Sequence, residues 1–216
     1  LEAAFCERTK LLVLNTPMNP SAKVFSVDEL TFLAQLLIKY DAYAICDEVY
    51  EHLVYGGREH IPLMVLPGMR DRCIRISSAG KTFSVTGWKV GYSVGSPELL
   101  AAVGKAHQFL TFATPPNLQK AVAFGLNKDE SYFTSLGTIM ESKRNRLAKG
   151  LADIGFSVMD SRGTYFLTAD FWPLSFNGDD VQFCKHLTTE AGVAALPFSA
   201  FYQDETGRAS CRERAQ

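Results

Sequence analysis

Three short apolar runs, each ending in polar or charged residues, limit this chain more than any other feature. They are "KLLVLNTP", "AYAICDEVY" and "CIRISSAGK". Unbroken apolar runs of this length suit strands covered on both faces, as in parallel sheets. Between the first two lies "SVDELTFLAQLLIKYD", which opens with Ser26 and, three residues on, Glu29. That spacing is a capping box, and the apolar residues behind it recur at helical intervals. Strand, helix, strand in this rhythm predicts parallel βαβ units, with "GYSVGS" as a fourth short strand. Ligands of such sheets sit beyond the carboxyl ends of the strands. Asn19, Asp47 and Lys81 all fall at or just past such ends.

After Pro97 the texture changes. "PELLAAVGKAHQFLTFA" reads as a helix stopped by "TPP". "PNLQKAVAFGLN" and "ESYFTSLGTIMESKRNRLAKGLADIG" read as two more, the last closing on Gly155. "FSVMD", "TYFLTADF" and "VAALPFSAF" read as strands around a helix in "GDDVQFCKHLTTEAG". The expected division is residues 1–140 as a large domain including the interdomain helix, 141–206 as a smaller α+β domain, and 207–216 as an irregular tail.

The balance of 47% hydrophobic and 21% charged residues is that of a globular chain, and its net charge of −1 gives no footprint for nucleic acid. No apolar run approaches the ~20 residues of a membrane helix. The five cysteines form no CxxC and no metal-ligand spacing, which suits a reducing, cytoplasmic setting. His52, His60, His107 and His186 also lack ligand spacing and read as surface or internally satisfied residues. The opening "LEAAFCERTK" has no methionine and reads as the interior of a longer protein.

The stretch "SSAGKTFSVTGWKVGY" carries the chemistry. Its Gly-Lys-Thr is not a P-loop, because GxxxxGK[ST] needs glycine where Arg75 stands. Lys81 among the small residues Ser78, Ala79 and Gly80 has room for a flat ring beside it. A hydroxyl (Ser78, with Ser77 and Ser84 as alternatives) and a fixed charge (Lys89) suit a phosphate. Asp47 can serve a protonated pyridine nitrogen. A lysine nucleophile, a phosphate site and a carboxylate together suit pyridoxal 5′-phosphate. Trp88 is expected to pack beneath the phosphate loop.

Four blocks, "NTPMNPSAKVFS", "CDEVYEHLVY", "SSAGKTFSVTGWKVGY" and "GTYFL", in this order, resemble the fold-type I, class I/II pyridoxal-phosphate aminotransferases. The similarity covers about residues 3–206 and leans towards the kynurenine, glutamine-phenylpyruvate and methionine aminotransferases. The resemblance implies a three-layer α/β large domain with a mostly parallel sheet, here incomplete, and a smaller α+β C-terminal domain. It implies that Lys81 forms the Schiff base and moves the substrate proton. It further implies Asp47 at the ring nitrogen, Tyr50 and Asn19 at the phenolic oxygen, and Ser78 and Lys89 at the phosphate. Asn19, Phe112, Tyr165 and Arg212 are implied near the substrate, with Gly163 beside Tyr165 in the "GTYFL" strand. The implied partners are an L-amino acid, a 2-oxo acid and, for the full-length parent, a second copy of the chain. Two alternatives stay open: β-elimination from cysteine S-conjugates, and a non-catalytic fragment serving as a dimerisation or binding module.

Overall fold

The computed structural model describes residues 1–201. Within them the chain forms two compact units. The first comprises Leu1–Arg144 together with Ser161–Phe166, and the second comprises Asn145–Asp160 with the described residues from Leu167 onward. The return of Ser161–Phe166 to the first unit is invisible to a single cut near residue 140.

The first unit holds a four-stranded sheet in sequence order: β1 (Leu11–Asn15), β2 (Tyr43–Asp47), β3 (Cys73–Ser78) and β4 (Gly91–Val94). β1, β2 and β3 are parallel, with Asn15 aligned to Asp47 and Asp47 to Ile76. β4 is antiparallel, pairing Ser78 with Gly91 and Arg75 with Val94. The reason is what the connection contains. Only the one-turn helix α2 (Ala79–Thr82) and a 3-10 turn (Thr86–Trp88) separate β3 from β4. Neither is a crossover helix able to carry the chain back to the start of β3, as a parallel partner requires.

Helix α1 (Val27–Lys39) starts where its capping box requires. Glu29 N–H donates to Ser26 Oγ at 3.2 Å, and Ser26 N–H donates to Glu29 Oε2 at 2.9 Å. Leu30, Leu33 and Leu37, spaced at i, i+3 and i+7, lie on its buried face. They pack with Leu14, Ala44, Cys46, Leu63, Met69 and Cys73 in the main core. Each leucine buried this way contributes about 1.5–3 kcal/mol. The other sheet face is less covered among the described residues, with Val13 67% exposed.

Helices α3 (Pro97–Leu110), α4 (Pro116–Leu126) and α5 (Glu130–Asp153) follow. Ser96 caps α3, and Phe112, at φ 65°, turns the chain away beyond its end. The last residues of α5 belong to the second unit. That unit also contains β5 (Ser157–Val158) paired antiparallel with β6 (Ala169–Asp170), and α6 (Asp180–Glu190). Phe171 stacks on Phe183 at 4.2 Å between centroids, with Phe156 and Phe176 edge-on to Phe183.

Two expected strands differ. "TYFLTADF" is strand only at Ala169–Asp170: Thr164 at φ 64° turns the chain where the run begins, and the run divides between the two units after Phe166. "VAALPFSAF" forms no strand, and Phe198–Phe201 is a 3-10 turn following Pro197, which has no N–H for a ladder.

Candidate active site

Neighbouring residues in register on parallel strands share a face. Asn15, Asp47 and Ile76 therefore lie on one face with Ser78, at the carboxyl ends of β1, β2 and β3. Leu14, Cys46 and Arg75 lie on the opposite face with Ser77. The chain then turns sharply after each strand, and the turns carry the candidate side chains Asn19, Tyr50, Lys81 and Lys89.

After β3 the backbone coils at once into α2, which places Lys81 on its single turn. Gly80 is required here, since a Cβ on it would lie 2.9 Å from Thr86 Cα. Lys81 Nζ donates to Tyr165 Oη at 2.8 Å. Tyr50 Oη donates to the same oxygen at 3.1 Å, and the two rings meet edge to face at 5.2 Å. The ammonium also lies 5.5 Å from the Tyr50 ring centre and 5.4 Å from that of Tyr165.

The two phenols respond oppositely. Burial pushes the Tyr50 phenol well above its ordinary value, and its bond to Tyr165 and the charge of Asp47 push the same way. Burial also pushes Tyr165 up, but hydrogen bonds from Lys81 and Tyr50 and the charge of Lys81 outweigh it, leaving this phenol below its ordinary value. Tyr165 is thus the first of the pair to lose its proton.

Asp47 ends β2 half-buried. Its carboxylate accepts a long bond of 3.4 Å from Val49 N–H, while its backbone carbonyl accepts from Asn15 Nδ2 at 3.0 Å and Thr16 N–H at 3.0 Å. Asn15 Oδ1 accepts Asn19 N–H at 2.7 Å, so Asn15 ties the "MNP" loop to β2. Asn15 was not singled out in the sequence; its place in "NTPMNP", one strand over from Asp47, is the signal that could have found it. Asn19 itself is exposed.

Ser78 closes β3 and pairs with Gly91, and Ala79 N–H donates to Val90 carbonyl at 3.1 Å. Lys89, at φ 55° and exposed, enters this corner directly before Val90. Of the alternative hydroxyls, Ser77 is buried and donates to Glu51, away from Ser78, and Ser84 is exposed at φ 55°. Trp88 is 42% exposed, contrary to the packed position expected of it, because the 3-10 turn carries it outward.

Gly163 bridges to Val54, and a Cβ on it would meet Pro17 and Val24 at 2.9 Å. This close fit brings Tyr165 to Lys81. Phe112 is 80% exposed, and no described contact joins it to Lys81. Arg212 lies outside the described residues. Of the histidines, His60 is buried against Glu48 at 2.8 Å, and His52 lies beside Phe133. Among the described residues no cluster suits a metal ion, and no helix is long and apolar enough to cross a membrane.

The sequence matches the family of "Aminotransferase class I and II" over residues 1–216. It is 43% identical over 210 residues to the Mycobacterium tuberculosis protein named "Probable N-succinyldiaminopimelate aminotransferase DapC", covering 97% of this chain and 53% of that one. It is 39% identical over 224 residues to the kynurenine–oxoglutarate transaminase of Dictyostelium discoideum, covering 95% and 52%. The crystal structure of YbdL from Escherichia coli, identified with a methionine aminotransferase function, superposes with a TM-score of 0.90 at 38% identity, covering 94% of this chain and 53% of that one. The chain spans about half the length of the curated relatives it matches.

Proposed function

The chain belongs to the class I and II aminotransferases, a family of pyridoxal-phosphate-dependent enzymes, and we propose that it carries the centre of a site moving an amino group between an L-amino acid and a 2-oxo acid. The single observation behind this reading is the convergence of Lys81, Tyr165 and Tyr50 within hydrogen-bonding distance, beside Asp47 at the end of β2.

The donor set fits the cofactor. A half-exposed lysine amine stands next to two phenols, and the carboxylate of Asp47 keeps acceptor capacity beyond its one long bond. Asp47 would hold the ring nitrogen, Tyr50 and Asn19 the phenolic oxygen, and Ser78 and Lys89 the phosphate. Pyridoxal phosphate bound there would supply an aldehyde and a ring able to take up the electron pair of a substrate Cα–H bond. Lys81 would take that proton from Cα and deliver it to the cofactor carbon C4′, as general base and then general acid. Tyr165 orients the Lys81 amine and provides a second proton-holding group at its side. Tyr50, kept protonated by burial, remains a hydrogen-bond donor throughout.

The relatives are named for N-succinyldiaminopimelate, kynurenine and methionine, so the substrates to try first are L-amino acids with aromatic, sulfur-containing or extended side chains. The reading includes a homodimeric assembly in the cytoplasm. The exposure of Phe109, Leu110, Phe112 and Phe124 in the first unit, each at 75% or more, provides apolar surface available for such an assembly.

The test is pyridoxal phosphate added to the chain and to Lys81→Ala. A visible-absorbing adduct that forms in the first, fails to form in the second and shifts with L-methionine or L-kynurenine is the expected result. Equal spectra for the two proteins would refute the assignment of Lys81.

A further inference from the structure

Behind the site, on the opposite face of the sheet, lies a buried set of charges that the proposed reaction does not use. Glu48 is fully buried and Glu51 nearly so. Arg75 Nε meets Glu48 Oε2 at 2.6 Å, and its terminal nitrogen pairs with Glu51. His60 Nε2 reaches Glu48 Oε2 at 2.8 Å. Glu51 Oε1 also accepts Ser77 Oγ and, at 3.3 Å, Tyr92 Oη. Two carboxylates held away from water need their partners in place, because a buried charge left unpaired is costly.

The positions of these residues along the chain give the set its meaning. In "DEVYE", Asp47 and Tyr50 belong to the site, and Glu48 and Glu51, each the next residue, reach Arg75. In β3, Ser78 belongs to the site, and Arg75 and Ser77 lie on the other face. One guanidinium therefore ties the turn carrying Asp47 and Tyr50 to the strand that leads into Ser78 and Lys81. The same turn continues into Leu53 and Tyr55, which hydrogen-bond the segment bearing Tyr165 through Thr164 N–H to Leu53 carbonyl at 2.7 Å and Tyr55 N–H to Arg162 carbonyl at 3.0 Å.

We infer that Arg75 is a positioning residue: its two-pronged hold on Glu48 and Glu51 sets the spacing of Asp47, Tyr50 and Lys81 from behind the sheet. Only a guanidinium brings a charged nitrogen close to both carboxylates at once, its Nε as an ion pair without a hydrogen bond, and a lysine at 75 keeps the charge but reaches one carboxylate at a time. The cofactor part of this inference rests on the function proposed above.

The test compares the chain with Arg75→Lys and Glu51→Gln, each well below its unfolding transition. Two quantities are read: the pyridoxal phosphate concentration that half-saturates Lys81, and the ionisation midpoint of Tyr165, taken as the tyrosine absorbance component lost in Tyr165→Phe. Arg75→Lys should raise the first roughly ten- to a hundred-fold, the usual scale for lost supporting contacts and ångström-scale misplacement, and should shift the second. Wild-type values of both in a folded Arg75→Lys protein, even one that melts earlier, would overturn the inference and leave Arg75 a stabilising residue. Should Arg75→Lys fail to fold, Glu51→Gln, which keeps the side-chain shape, decides by the same two readings. A wild-type chain without any Lys81-dependent adduct would sink the cofactor reading instead. Arg75 would then be judged on the Tyr165 midpoint alone, an unmoved midpoint counting against it.

Discussion

Replacing Gly80 by alanine tests the link between packing and the site most directly. Two effects of opposite sign compete at this buried position on the helical turn that carries Lys81. Alanine removes glycine's entropic cost in a helix, a gain of about 0.5–1 kcal/mol. Against it, the added Cβ would lie 2.9 Å from Thr86 Cα, 3.4 Å from Thr86 N and 3.3 Å from Ser78 Oγ. Carbon atoms rest about 3.5–4.0 Å apart, so the closest contact is too short by more than half an ångström. The obstacle is backbone and cannot rotate away. Thr86 is held in turn by its own Oγ1, which donates to Gly80 carbonyl at 3.1 Å. Forced overpacking of this kind costs about 1–3 kcal/mol. The clash wins, with a net destabilisation of about 1–2 kcal/mol and a fall in melting temperature of about 2–8 °C for a chain of this size. Circular dichroism on heating measures it. Because relief of the clash moves α2, the bond from Lys81 to Tyr165 should lengthen, and the Tyr165 phenol should titrate closer to its ordinary value. A Gly80→Ala protein that melts at or above the wild-type temperature would refute the reasoning, since it would mean that the strand-to-helix corner yields freely.

Other outcomes follow from the same contacts. Ser26→Ala removes the acceptor for Glu29 N–H and half of the capping box of α1, so urea unfolding should show a loss of about 1 kcal/mol. The phenol pair gives a pH signature with opposite signs. Tyr165, depressed in the fold, adds stability that is present above the unfolded tyrosine value of about 10 and lost as pH falls through its lower folded value. Tyr50, raised in the fold, adds stability that is present below about pH 10 and lost as pH rises beyond it. Unfolding free energies of Tyr165→Phe and Tyr50→Phe, each measured against the wild type across the alkaline range, should therefore diverge in opposite directions.

Much of the first unit was legible from the chain because local rules and tertiary packing agree there. The capping box at Ser26 and Glu29 fixes where α1 begins, and three apolar runs of strand length fix three parallel strands. Asn19, Asp47 and Lys81 could be placed at or just past strand ends from the apolar runs alone, the ends where ligands of parallel βαβ sheets sit. What could not be read is everything set by which distant segment arrives. β4 reads as a strand, but its antiparallel direction follows from a connection to β3 that holds no crossover helix. "TYFLTADF" has strand composition throughout, yet Thr164 turns it, and Gly163 presses it against Pro17 and Val24. That contact makes Tyr165 the partner of Lys81, across a sequence separation of 84 residues. The face opposite the site was equally hidden. Nothing in the local pattern pairs Glu48 and Glu51 with Arg75, and only the register of β2 on β3 buries them together. The sequence by itself determined the start of α1, the strands of the first unit and the chemical groups that stand at their ends, because propensity, capping and alternation act within a few residues. The tertiary structure alone decided which groups touch, because hydrogen bonds and buried ion pairs depend on ångström distances between segments that no local pattern encodes.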